Sequence, residues 1–424
     1  MWPSTRFQCF FIFFPICAAF SMMGPDAIDR ARAGDERVMT FRQALTAAWN
    51  NDPIRQELAV NASSARARAA AARAWFAGGP SFTASYYDDR AAGTHIGYVT
   101  YEGTVSVPLW LPGQGTATEM VAKADAAKAL AQVDVERVSI AVRVLQQAEA
   151  VALAQRRVTV ARAMAKSLSR MADITRKACE AGEATSADLQ AVSAQLADAR
   201  AEIAVAEAEK TASSAAMMTL LGKAGVPNLS DADDRWLARW RPNHLSDLEM
   251  RDPRVLAAHK EVVAAQAQMH LAHHNYMPNP EVGLVALDQG QYASPWATQV
   301  GMTIRVALPS DVQNVPQIAA AQNRLAAAMR AEVTAQRAVH DELRQVVAWV
   351  DGARQALKQS RQSAAQTLSR AKIMEHSWSL GETPLMEALR AQNDAWRALM
   401  SLNRSEIAFH SAVIRLCIAI GTLP

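Results

Sequence analysis

His270-Leu-Ala-His273-His274 is the densest set of potential ligands in the sequence. Its i, i+3, i+4 spacing puts three imidazoles on one face of a helix, with Met269 and Met277 close by. Nitrogen and thioether donors that converge in this way suit zinc, copper or nickel. The same spacing also serves as an ordinary polar helix face. His270, His273 and His274 are therefore candidate ligands for a weak site only, and no resident cofactor is expected. Catalytic machinery is not evident. The sequence holds no G-x-S-x-G, no phosphate-binding P-loop, no dinucleotide glycine pattern and no H-E-x-x-H. Its many acidic pairs read as solvated helix faces, so no enzyme is expected.

The elements that carry these residues are long and helical. Half of the 424 residues are apolar, yet only 6% are aromatic, and Ala dominates. Such a chain packs helices closely through small side chains. A net charge of +3, without a basic patch interleaved with aromatics, argues against nucleic-acid binding.

Residues 1–33 read as an export signal. Arg6 precedes the apolar run Phe7–Met23, which Pro15 interrupts. Cys17-Ala18-Ala19 and Ala31-Arg32-Ala33 are alternative cleavage regions. Beyond it no stretch is long and apolar enough for a transmembrane helix, so a membrane would have to be met by strands.

An internal duplication organises the rest. Thr40-Phe-Arg-Gln43 and Ser246-Asp-Leu-Glu249 both read as helix starts with a capping box. Asn51-Asp52-Pro53 matches Arg251-Asp252-Pro253, and Pro80 matches Pro280. Val105–Leu109 matches Ile304–Leu308, Gly182 matches Gly381, and Leu221-Gly222 matches Ile420-Gly421. Residues 37–223 and 244–421 are two copies of one unit, and 224–243 connect them. Each copy reads helix, strand, strand, long helix, turn, helix. The first helix is expected over 40–77 and 246–277, and the strands over 80–88, 95–109, 280–288 and 296–308. Rods are expected over 116–177 and 316–377, turns at 181–183 and 380–383, and closing helices over 186–221 and 384–420.

The strands alternate: Phe82, Ala84 and Tyr86 interleave with Ser81, Thr83 and Ser85, and Val300, Met302 and Ile304 with polar or small residues. Alternation alone fits either a membrane barrel or a soluble sheet with one wet face. The rods favour the first. At 1.5 Å per residue, 116–177 would span about 90 Å, far more than a globular core needs. Four strands cannot close a barrel, and open edges are not tolerated in lipid. Three protomers would supply twelve strands and twelve rods. The expected fold is therefore mainly α with a membrane β-barrel portion closed by several protomers; a trimer would give a twelve-stranded barrel plus a long α-helical barrel. VSVPLWLPGQG (residues 105–115) would be the joint between a membrane strand and a periplasmic rod.

These features resemble the TolC family of outer-membrane efflux proteins over essentially all of 37–421. They include the starts TFRQALTAAWNNDP and SDLEMRDPRVLAA and the joints VPLWLPGQG and VALPSDVQNVPQIAAAQ. The turns AGEATSADLQA and LGETPLMEALRAQ complete the set. The resemblance implies a homotrimeric duct in outer-membrane lipid that docks onto a periplasmic adaptor (membrane fusion) protein and an inner-membrane RND-type pump. Its adaptor-facing tips would be Gly182, Glu183, Gly381 and Glu382. Family gates often carry an acidic residue six positions after the tip glycine, matched here by Asp188 and Glu387, and another three further on. Ala191 and Arg390 stand at those later positions, so a double acidic ring is not reproduced, and Asp188, Glu387 and Arg390 are the candidate constriction. A bland reading competes: Asp188 and Glu387 also suit the positive end of a helix. The second joint looks most like the heavy-metal branch, ahead of drug efflux and type I secretion. A periplasmic helical scaffold is the alternative from another class.

Two further expectations remain. Trp236 and Trp240 in the connector could clamp it as a girdle or simply pack a loop. Cys179 lies at a tip and Cys417 roughly 50 Å from one, too far for a disulfide, which predicts two free thiols.

Overall fold

The computed structural model describes residues 38–90, 92–93, 96–231, 245–291 and 293–421. The export signal, Trp236 and Trp240 lie outside the described residues. The first half opens with β1 (Val38–Met39), α1 (Phe41–Asn51) and α2 (Pro53–Ala71). A hairpin of β2 (Ser81–Asp88) and β3 (Tyr98–Pro108) leads to the 67-residue rod α3 (Gln114–Glu180) and then α4 (Ser186–Leu221). After β4 (Val226–Pro227), which pairs with β1, the order recurs. The second half has α5 (Leu245–Arg251), α6 (Pro253–His274), β5 (Glu281–Gln291), β6 (Ala297–Arg305), the 69-residue rod α7 (Asp311–Ser379) and α8 (Leu385–Ile420). The chain is thus mainly helical and internally duplicated.

Where one helix is expected over 40–77 and again over 246–277, the structure has two in each place. Proline at 53 and 253 has no N–H and drives the residue before it into extended backbone. Asp52 and Asp252 adopt that geometry and cap the next helix, accepting from Ile54 N–H at 2.9 Å and Arg254 N–H at 2.8 Å. The same helices stop at Ala71 and His274, short of 77 and 277. The capping box of Thr40 and Gln43 forms in full. Its counterpart does not start a helix at Ser246, because α5 already includes Leu245. The second rod begins five residues before Pro316: Gln313 and Asn314 donate to Ser310 O and close the first turn ahead of the proline.

Alanine and valine seams hold the helices together. A core of Phe41, Ile140, Val144, Val151, Met217, Val413 and Ile414 joins α1 to both rod pairs. A second core lies toward the tips, where Leu168, Met171 and Val192 meet Leu385, Ala388 and Leu389. At 1.5 Å per residue each rod is about 100 Å long, so the sheet and the tips sit at opposite ends of the molecule.

Candidate functional site: an amphipathic sheet, its joint and two matched tips

The two hairpins merge into one antiparallel sheet ordered β2-β3-β5-β6. Side chains directly opposite one another share a face. Phe82, Val105, Leu284 and Met302 form one such row, and Ala84, Gly103, Ala286 and Val300 the next. Val107, Val282 and Ile304 extend this face toward the rods. The opposite face is chiefly polar, with Ser81, Ser106 and Thr303 in one row and Ser85, Glu102 and Gln299 in another.

No helix among the described residues covers the apolar face. Phe82 is 72% exposed, Leu284 66% and Val300 79%. Toward the hairpin ends an aromatic group replaces the aliphatic rows: Tyr86 and Tyr101 lie 5.2 Å apart, and Trp296 lies 5.9 Å from Tyr101. Edge strands β2 and β6 each pair on one side only. Separately, no helix among the described residues is long and apolar enough to cross a membrane.

The joint at 105–115 ties the halves together. Leu109 N–H donates to Pro280 O at 2.7 Å, and Trp110 Nε1 to Ala74 O at 2.9 Å. Gln114 is buried at the head of α3. Its Oε1 accepts from Leu111 N–H at 3.0 Å, while its Nε2 donates to Asn275 Oδ1 at 3.0 Å and Asn279 Oδ1 at 2.9 Å. Asn275 in turn donates to Gln317 in the second rod. Every polar edge of Gln114 is used, as burial requires.

The tips are near-copies. Gly182 and Gly381 have φ of +79° and +78°. Glu183 N–H reaches Ala178 O, and Glu382 N–H reaches Ser377 O. Gly182 N–H bonds Cys179 O, and Gly381 N–H bonds Trp378 O. This paired closure needs a left-handed residue at the helix end, which glycine adopts without strain. The helices that follow start differently. Thr185 caps α4 in a full capping box with Asp188, whose Oδ2 accepts from Thr185 N–H at 3.2 Å and Thr185 Oγ1 at 2.7 Å. Pro384 precedes α8 with no side-chain cap, and there Glu387 pairs with Arg390 at 2.6 Å. The helix-start reading of Asp188 thus describes a real contact. All three candidate constriction residues lie within one or two turns of the tips.

Polar links that sequence reasoning missed stand between these regions. Gln392 in α8 donates to Ser167 in α3 at 3.0 Å and to Glu375 in α7 at 3.3 Å. Arg143 bonds Asp52 and Glu136, each at 2.8 Å. Arg254 bonds Asp252 and Glu342, and Arg415 also reaches Glu342. Asp252 first, then Glu342, raises the pKa of Arg254 and keeps it charged in its half-buried position.

Among the histidines, His270 and His274 stack with ring centroids 4.5 Å apart. Among the described residues no three His, Cys, Asp or Glu side chains converge as a metal site needs, so the weak candidate triad with His273 is not assembled. Cys179 and Cys417 are both free, and burial pushes the Cys417 thiol up to about 11.

Residues 44–223, the first repeat, match the family described as outer membrane efflux protein. No curated protein matches the chain. Among solved structures the chain is similar to CusC, reported for conformational changes accompanying folding and transmembrane channel formation. CusC is 15% identical with a TM-score of 0.75, over 90% of this chain and 92% of that one. The outer membrane protein VceC of Vibrio cholerae is 16% identical with a TM-score of 0.71, over 90% and 96%. The open-state outer membrane channel MtrE of Neisseria gonorrhoeae is 14% identical with a TM-score of 0.70, over 90% and 89%. At these identities the likeness establishes a shared fold along nearly the whole chain.

Proposed function

We propose that this chain is one protomer of a trimeric outer-membrane duct, passively conducting cargo from a periplasmic adaptor and an inner-membrane pump to the exterior. The uncovered apolar face of the four-stranded sheet carries this reading. A soluble sheet would pack Phe82, Leu284 and Met302 against a helix. Here they point outward at 66–72% exposure, which suits lipid and little else. The free edges of β2 and β6 support oligomerisation, since a strand edge in lipid leaves backbone groups unbonded. Three copies give a closed twelve-stranded barrel whose polar face lines the lumen.

The rods then form the periplasmic part. Their tips, with Gly182, Glu183, Gly381 and Glu382, meet the adaptor, and an RND-type pump supplies the energy. Asp188, Glu387 and Arg390 ring the constriction, where repeated carboxylates favour cations. Heavy-metal cations are the cargo, a reading supported by the form of the second joint and by the repeat lengths.

Two measurements test these levels separately. Membrane fractionation with a heat-modifiable gel assay should place a trimer in the outer membrane; a soluble monomer would end the duct reading. A growth panel on a deletion strain, restored with the intact gene, should show sensitivity to zinc, cobalt, cadmium, nickel, copper or silver. Sensitivity to dyes, detergents and antibiotics instead would sink the metal cargo and leave the duct.

A further inference from the structure

We infer that His270 and His274 form a two-histidine site for an imidazole-preferring divalent cation, Zn²⁺, Cu²⁺ or Ni²⁺, where α6 meets the strand-to-rod joint. Residues four apart on a helix are stacked neighbours, and these two rings have centroids 4.5 Å apart, inclined by 51°. At that separation small side-chain rotations suffice to bring one nitrogen of each ring to a shared ion.

Two observations bear on this pair, and the first separates it from His259 and His340. First, His259 is bonded through Nδ1 to Glu332 at 2.9 Å, and His340 is bonded to Glu249. Those rings are committed to carboxylates. Neither His270 nor His274 forms an ion pair among the described residues, and their contact is with each other. Rings without a carboxylate partner are free to turn a nitrogen toward an incoming ion.

Second, the His274 ring packs closely over the backbone at Gly113. His274 is the last residue of α6. A Cβ at position 113 would fall 2.7 Å from His274 Nδ1 and Cε1. Any side chain at 113 would displace the ring, and contact with the backbone on this side restricts it, so less ordering is required when an ion arrives. His270 is exposed and His274 partly so, which leaves the remaining coordination positions to water. Two protein ligands make a weak, exchangeable site rather than a structural one.

This inference goes beyond the duct reading and does not rest on the cargo, because binding is measured on the purified chain. His273 is the internal control, being a neighbour in sequence that is not stacked in the pair. The full chain, purified without a polyhistidine tag, is titrated with Zn²⁺ by calorimetry and with Cu²⁺ by electron paramagnetic resonance. One ion per chain is expected, with nitrogen hyperfine structure. His270→Gln and His274→Gln should each weaken it at least about tenfold, since even losing a group that supports a ligand costs that much. His273→Gln should leave it unchanged. Equal binding by all three variants and the parent, or a loss in His273→Gln matching that in the other two, would overturn the assignment. Trimer integrity on gels, checked for each variant, keeps misfolding apart from ligand loss.

Discussion

Asp52 and Arg143 form an ion pair at 2.8 Å, but their counterparts in the second half, Asp252 and Glu342, are both acidic. The second half resolves this by placing Arg254 between them, at the position where the first half has Ile54. One contact is thus conserved as charge balance while the residue types change. Arg143→Glu should destabilise the protein by about 1–2 kcal/mol, below the full cost of a broken buried pair because Arg143 is partly exposed. Adding Ile54→Arg should recover most of that loss. Thermal unfolding of the two variants checks it, and a double variant no more stable than Arg143→Glu alone would refute the equivalence.

Gln114 holds three partners at the joint, two of them from the other repeat. Gln114→Met keeps the shape and removes every bond, so Leu111 N–H is left buried and unpaired. We expect a loss of about 1–3 kcal/mol in unfolding free energy. Asn279→Asp keeps an acceptor for Gln114 Nε2 and should cost less. The reverse order would mean that the network does not hold the joint.

Much of this was legible in the sequence, for local reasons. The capping box at Thr40, the Pro-Gly stop after β3 and the tip glycines are signals confined to a few residues, and each element forms where they stand. The breaks at Asp52 and Asp252 are also local: Asp-Pro marks the repeat, and the same dipeptide carries a second meaning, an extended residue before proline that ends one helix and caps the next. Gln114 and Gln392 were illegible because their partners Asn275 and Ser167 lie 161 and 225 residues away in the chain. Spacing put three histidines on one face, yet only His270 and His274 meet. A shared face fixes direction, whereas convergence depends on rotamers and on Gly113 from another element.

The tip glycines allow a backbone test free of packing effects. A Cβ at Gly182 or Gly381 would meet nothing within 4 Å. Gly182→Ala and Gly381→Ala should therefore each cost about 1–2 kcal/mol, the strain of a left-handed alanine alone. The two should add in the double variant, because the tips are separate turns. Asparagine at either site should cost less than alanine, as it tolerates the left-handed region better. Denaturant titration of the five variants reads this directly, and a neutral alanine at both tips would show that the turns relax to another form.

The proposed constriction makes a prediction that divides stability from conduction. Asp188 closes the capping box of α4, so Asp188→Ala should cost about 1 kcal/mol of stability whatever the pore does. Glu387 caps nothing; its carboxylate faces Arg390, and Glu387→Gln should leave stability within about 0.5 kcal/mol of the parent, as for an exposed pair. In planar bilayers the order reverses. Glu387→Gln should lower the preference for cations, read as a shift of reversal potential in a salt gradient. Arg390→Gln should raise it, since the guanidinium that offsets Glu387 is gone. Asp188→Asn should act as Glu387→Gln does but more weakly, because Thr185 already donates two hydrogen bonds to the Asp188 carboxylate and spreads its charge. Reversal potentials that stay fixed in all three neutralising variants would remove these residues from the pore lining and leave only their roles at the helix starts.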